Sequence, residues 1–187
     1  SKYAAFLKSH ILAHSEFIQP AARRAEMLSF IESGLEDIPV SRANLKWGLP
    51  VPDDPSQVIY VWFDALINYV TGAPAGFWPA DLHLVGKDNV RWHALLWPAM
   101  LKAAGYELPK TVYGHGFLSL DGEKISKSRG NVIRPTELTE KYGVDVIRYY
   151  LLRYGPLTDD ADLALSKLEE IYNSELVNGL GNHVARV

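Results

Sequence analysis

An alternating rhythm between residues 57 and 115 constrains this chain more than any other feature. Residues 57–63 are a β-branched and aromatic run bounded by Pro55 and Asp64, the composition of a buried strand. Asp64 stands where a cap would open a short helix reaching Thr71. Residues 82–85 form a second strand-like run that stops at Gly86, and residues 111–115 a third. Between these two runs, Asp88 or Asn89 is placed to cap a helix running to Ala104. Gly105 stands at its C-terminal stop and Pro98 predicts a kink inside it. Strand, helix, strand, helix, strand is the order of an α/β fold, with crossover helices joining a parallel sheet. In such sheets ligands bind at the carboxyl ends of the strands. That directs attention to residues 62–64, 86–89 and 115–117.

The flanks read differently. Residues 1–33 read as helix and connection: Pro20 suits a first helical turn, Gly34 a stop, and Ala25, Leu28, Ile31 and Leu35 recur at helical spacing. Residues 36–56 carry Pro39, Gly48, Pro50, Pro52 and Pro55 and read as irregular, with one short strand near Val40. After a loop at 118–131, the spacing predicts helices over 136–142, 145–154 and 166–187. The last has Leu168, Ile171, Leu176, Leu180 and Val184 along one face. Gly179 and Gly181 inside it, each costing roughly 1 kcal/mol against alanine, suggest close packing on a neighbour. The helix stops at Val187 with no cap, which reads as a truncation. The expected division is a helical connection over 1–35, the second half of a Rossmann-like sheet over 36–131, and a helical segment over 132–187.

Composition removes several classes. There is no cysteine, which excludes disulfides and thiolate metal sites. His10, His14, His83, His93, His115 and His183 lack the spacing of a zinc cluster, so no bound metal is expected. No apolar run is long enough to cross a bilayer. The net charge of −3 argues against a long nucleic-acid interface. The charge is uneven, however. Lys124, Lys127, Arg129 and Arg134 share a stretch without acids, while residues 154–187 carry six acids against Lys167 and Arg186. A basic loop on an acidic body suits a small phosphate-bearing ligand.

Four stretches carry possible chemistry, each with a plainer reading beside it. Lys124 to Asn131 places two lysines three apart, with Ser126 and Ser128 among them and Gly130 behind. Its ammonium groups suit the charge of a leaving pyrophosphate; the plainer reading is a solvated basic loop. His115-Gly116 ends the third strand, where Gly114 and Gly116 equally serve to relieve crowding. Gly86 and Asp88 stand between strand and helix, where a glycine admits ligand backbone contact and an aspartate binds ribose hydroxyls. Asp88 equally suits a helix cap. Trp62, Tyr69 and Trp92 are each good core residues, yet they fall together at strand ends and helix starts, with His93 beside Trp92.

The ordered string Lys124-Ile125-Ser126-Lys127-Ser128 resembles the KMSKS signature of class I aminoacyl-tRNA synthetases, with isoleucine for methionine; the trailing Arg-Gly-Asn is similar too. The stretch from Tyr60 to Tyr69, together with Asn89, Trp92 and His93, resembles the amino-acid pocket of the methionine-specific members. The resemblance covers nearly the whole chain. It implies that Trp62, Ala65, Leu66, Tyr69, Asn89, Trp92 and His93 line a methionine pocket. It implies that Gly86, Asp88, His115, Gly116, Phe117, Leu118, Lys124, Ser126 and Lys127 contact ATP, with Lys127 and Lys124 acting as the phosphate loop closes. Sulfur–ring contacts of roughly 0.3–1.5 kcal/mol each suit such a pocket. ATP with Mg2+, methionine and tRNA(Met) are the implied cofactor and partners, and the cytoplasm the implied location. Residues 132–187 would contact the tRNA stem and begin the anticodon-binding bundle.

The family's other signature, His-Ile-Gly-His, is not found. His10-Ile11-Leu12-Ala13-His14 has its histidines four apart and no glycine before the second. The resemblance therefore implies half an active site, completed by an N-terminal half of the catalytic domain. A leucine, isoleucine or valine synthetase, a non-catalytic tRNA- or partner-binding paralogue, and a nucleotidyltransferase acting on a small metabolite remain as alternatives.

Overall fold

The computed structural model describes residues 2–45, 47–126 and 130–187 and divides into two units, Ser1–Gly114 and His115–Val187. The first opens with helix α1 (Ala4–Ala13), strand β1 (Ile18–Gln19) and helix α2 (Ala21–Glu32). Pro20 stands in extended backbone immediately ahead of α2, where its missing N–H costs nothing. Gly34, with φ of 100°, turns the chain away after the helix.

Strand β1 pairs in parallel with β6 (Thr111–His115), Ile18 opposite Val112. Strand β5 (Leu82–Gly86) lies on the other side of β6. Leu7 and Ile11 of α1, Ile18 of β1, Met27 and Ile31 of α2, and Val90, Ala94 and Val112 bury their side chains together. This core seats β6 between its neighbours and fixes where β5 ends. The α/β class expected from the rhythm is thus present, although β1 is too short to announce itself in a sequence.

The run at 57–63 departs from expectation. The strand there is β4 (Asp54–Ile59), paired antiparallel with β2 (Ser41–Ala43) and β3 (Pro50–Val51) in a separate sheet. Gly48, at φ of 149°, brings the chain so close to β4 that a Cβ there would stand 3.0 Å from the Cβ of Val58. Tyr60 closes the ladder by donating its N–H to the Val40 carbonyl at 2.8 Å. Its own carbonyl accepts from Phe63 at 2.9 Å, and helix α3 (Val61–Ala65) begins. Asp64 therefore lies inside the first turn, where its charge suits the helix dipole, and is not the cap. Helix α4 (Asn68–Thr71) follows.

After β5 the chain makes a 3-10 turn (Lys87–Asn89), a stretch of wide i→i+5 turns (Trp92–Leu96), and then helix α5 (Trp97–Ala104). No side chain caps these segments, so neither Asp88 nor Asn89 takes the expected capping role. Pro98 stands in the first turn of α5, directly after the wide turns, where hydrogen-bond register changes and its missing N–H is tolerated. Gly105 ends the helix in left-handed backbone at φ of 77°.

The second unit contains a hairpin of β7 (Leu118–Leu120) and β8 (Glu123–Lys124). Asp121 and Gly122 turn it with φ of 49° and 79°, the positive values a tight hairpin turn demands. Strand β9 (Ala161–Leu163) pairs in parallel with β7. Helices α6 (Pro135–Tyr142), α7 (Val144–Tyr154) and α8 (Leu165–Ile171) pack around Ile147, Tyr150, Leu163, Leu168 and Ile171. Beyond α8 the expected regular helix gives way to wide turns over Tyr172–Gly181, and ends as α9 (Asn182–Ala185). Gly179 and Gly181 are exposed, and a Cβ on either would meet only the carbonyls of Ser174 and Leu176. The expected close neighbour is therefore absent among the described residues. Glu175 ties this segment to α7, accepting from the hydroxyls of Tyr149 and Tyr154 and from Arg153 Nε at 3.1 Å.

Candidate functional site

The first unit gathers the aromatic residues singled out from sequence. Tyr69 on α4 and His93 in the wide turns meet through Oη and Nε2 at 2.9 Å. Nδ1 of His93 faces the carbonyl of Asn89 at 2.9 Å. A carbonyl only accepts, so Nδ1 carries a proton. Burial lowers the His93 pKa, partly offset by that same hydrogen bond, and the neutral ring leaves Nε2 as an acceptor. Tyr69 therefore donates, and burial raises its own pKa and keeps the phenol protonated. Asn89 contributes to this chain of bonds through its backbone.

Trp62 on α3 stacks on Trp92, centroids 5.1 Å apart and planes 18° from parallel, and meets His93 edge-on at 6.0 Å. Ala65 is half-buried on the same helix. Leu66 is 1% exposed and packs with Trp97 and Leu101, beneath the aromatic layer. Tyr60 meets Trp92 edge-on at 6.0 Å and carries the Arg42 guanidinium 4.2 Å above its ring. Arg42 and Tyr60 both line a cleft of about 810 Å³ between the antiparallel sheet and α3. No local pattern in the sequence marks Arg42.

Gly86 ends β5 under the Asp88 side chain: a Cβ there would stand 2.8 Å from Asp88 Oδ1. The same oxygen accepts from Asn89 Nδ2 at 3.3 Å. Asp88 is exposed and lines a second cleft, of about 620 Å³, with Lys87, Arg91 and Glu26. An exposed carboxylate at the carboxyl end of a strand is free to accept hydroxyl donors.

In the second unit, His115 Nδ1 lies 2.7 Å from the Gly116 carbonyl. The Gly116 N–H donates to the Pro156 carbonyl at 2.8 Å, and the Phe117 N–H to Asp160 Oδ1 at 2.7 Å. Glycine is required at 116, where a Cβ would stand 2.3 Å from the Asp159 carbonyl oxygen. Phe117 is 48% exposed, and Leu118 opens β7. Lys124 ends β8 exposed. Asn131 fastens the foot of the basic loop, accepting from the Ser126 N–H at 2.9 Å and donating to the Lys124 carbonyl at 3.0 Å. Lys127, with Ser128 and Arg129, lies outside the described residues.

Residues 1–187 match the family of class I tRNA synthetases of the M type. The chain belongs to that family. It is 50% identical to the methionine–tRNA ligase of Caldanaerobacter subterraneus subsp. tengcongensis, covering 100% of this chain and 31% of that protein. With the methionine–tRNA ligase of Rhizobium meliloti the identity is 48%, over 100% of this chain and 38% of the relative. The structure of Mycobacterium tuberculosis methionyl-tRNA synthetase in complex with methionyl-adenylate superposes with a TM-score of 0.86 at 46% identity. It covers 97% of this chain and 38% of that one. The chain thus spans about a third of the length of the relatives it matches.

Within this class I synthetase segment, His83 and Asn131 are the residues that sequence reasoning undervalued. A single histidine in a strand reads as core, and nothing in the sequence places it beside Tyr69 and His93. Asn131 reads in the sequence as part of a trailing tripeptide, yet its side-chain amide bonds both Lys124 and Ser126.

Proposed function

We propose that the full-length protein carrying this sequence activates methionine with ATP as methionyl-adenylate and transfers it to tRNA(Met). The observation that carries this reading is the chain Tyr69–His93–Asn89 beside the stacked Trp62 and Trp92. A polarizable, unbranched thioether is well matched by aromatic faces and one fixed polar point. The relative solved with methionyl-adenylate supports the same substrate.

In this reading Trp62, Ala65, Tyr69, Trp92 and His93 hold the amino-acid side chain, and Leu66 and Asn89 support them from beneath and through the backbone. Asp88 takes the ribose hydroxyls, with Gly86 leaving room for the Asp88 carboxylate at the end of β5. His115 to Leu118 hold the adenine end. Because the amides of Gly116 and Phe117 are already bonded within their own unit, they hold the base by shape and stacking. Lys124, Ser126 and Lys127 meet the phosphates.

The methionine carboxylate attacks the α-phosphorus, and the bond to pyrophosphate breaks. The two lysines stabilise the charge gathering on the leaving oxygens, so their contribution belongs to the transition state. The terminal ribose hydroxyl of the tRNA then attacks the adenylate carbonyl, releasing AMP. Among the described residues no group of three His, Cys, Asp or Glu is placed to hold a metal ion. Mg2+ would accompany the ATP phosphates and offset their charge beside Lys124 and Lys127. Residues 132–187 are assigned to the tRNA stem and the start of the anticodon-binding bundle.

The test is product analysis: methionine and ATP incubated with the full-length enzyme should yield methionyl-adenylate and pyrophosphate. A folded enzyme that releases no pyrophosphate in the presence of methionine contradicts the reading.

A further inference from the structure

His83 is a buried polar group that the reaction leaves unexplained. It lies on β5, 5% exposed, and its Nε2 has no hydrogen-bond partner among the described residues. Burying a nitrogen in this way carries a desolvation cost that leucine or phenylalanine would not. Burial and the neighbouring His93 hold its pKa down to about 4, so the ring is uncharged at neutral pH. Neither a charge nor a bond at Nε2 accounts for a histidine here.

The position of the ring does. Its centroid lies 4.3 Å from that of Tyr69, with the planes tilted by 55°. The other rings around Tyr69 are farther away, His93 at 5.6 Å and Trp97 at 6.2 Å. His83 also stands 5.7 Å from His93 and 6.2 Å from Trp78. Tyr69 needs such a support. It is carried by a helix of four residues and is 38% exposed. Its hydroxyl bond fixes where the oxygen sits, while the ring remains free to turn about its long axis. A ring pressed against it from a different element removes that freedom.

We propose that His83 is a positioning residue of the methionine pocket, a flat wedge on β5 that holds Tyr69 in one orientation with its hydroxyl on His93. The proposal rests on Tyr69 and His93 serving the methionine side chain. Substrate selection then depends on a residue set behind the pocket surface, and the loss of its shape appears in methionine recognition and not in ATP handling.

The experiment compares His83→Leu and His83→Phe in the full-length enzyme, by ATP–pyrophosphate exchange with methionine and with norleucine, which lacks the sulfur. His83→Leu is expected to raise the KM for methionine about tenfold and to lower the methionine-over-norleucine preference by about the same factor. The kcat and the KM for ATP should stay within about twofold, the pattern of lost ground-state binding. His83→Phe keeps a flat ring and should stay within about threefold of wild type throughout. Should the leucine variant fail to fold, His83→Met, flexible and ringless, carries the same expectation.

A folded leucine or methionine variant with unchanged methionine KM overturns the proposal. So does a phenylalanine variant as impaired as leucine, or a uniform loss across methionine, norleucine and ATP. Wild-type enzyme without methionine-dependent exchange would instead overturn the methionine reading. Normal wild-type exchange beside an unaffected leucine variant removes only the role of His83.

Discussion

Tyr69 donates its phenol proton to His93, Oη to Nε2 at 2.9 Å, because the Asn89 carbonyl already claims the proton on Nδ1. This pair ties a short helix to the turn that follows β5. Removing the hydroxyl leaves Nε2 of a buried histidine unpaired, at a cost of about 1–3 kcal/mol. Tyr69→Phe should therefore raise the KM for methionine about tenfold with ATP affinity unchanged. Steady-state exchange kinetics check this, and an equal loss of ATP affinity would place the pair outside the amino-acid pocket.

Acid should weaken the same region. The pKa of His83 is lowered from 6.5 to about 4, chiefly by burial and then by His93, and that of His93 is lowered by burial. In this window the unfolded chain binds protons that the folded chain does not, so stability rises with pH. The contribution of His83 is complete above pH 6.5 and is lost as pH falls from there through about 4. Denaturant midpoints measured across that range should fall with acidification, and less steeply in His83→Phe. An identical slope in the variant would show that His83 titrates normally.

The basic loop should respond to its anchor as well as to its lysines. Asn131→Ala removes two hydrogen bonds at the loop's foot. At about 1 kcal/mol each, this should slow adenylate formation roughly tenfold or more. Lys127→Ala should slow it further, and neither should weaken methionine binding. Rapid-quench measurement of adenylate beside methionine titration separates the two effects; matched losses in both would deny the loop a transition-state role.

Gly116 has no room for a side chain, with backbone of residues 159 and 160 within 2.8 Å of an added Cβ. Gly116→Ala should destabilise the enzyme by about 1–3 kcal/mol through forced backbone movement. Denaturant unfolding tests this, and a neutral substitution would mean that the 156–160 segment yields easily.

The sequence made β5, β6 and the end of α5 readable, because each is closed by a residue with one local use: Gly86, His115 before Gly116, and Gly105. It misled at 57–63, where a β-branched and aromatic run belongs half to a strand and half to a helix. Composition does not reveal that Tyr60 ends one ladder and starts the next turn. The antiparallel partners of β4 are only two and three residues long, and β1 and β9 are equally brief, so periodicity has nothing to act on. In the candidate site, the aromatic residues expected together do meet. His83 and Asn131 escaped notice because their importance lies in contacts across sequence or across a loop, which no local pattern records.

The most direct test is ATP–pyrophosphate exchange by the full-length enzyme with each of the twenty amino acids in turn. The account predicts exchange stimulated by methionine alone, reduced by Tyr69→Phe and abolished or nearly so by Lys127→Ala. Exchange driven instead by leucine, isoleucine or valine, or no exchange with any amino acid from a folded enzyme, would contradict it.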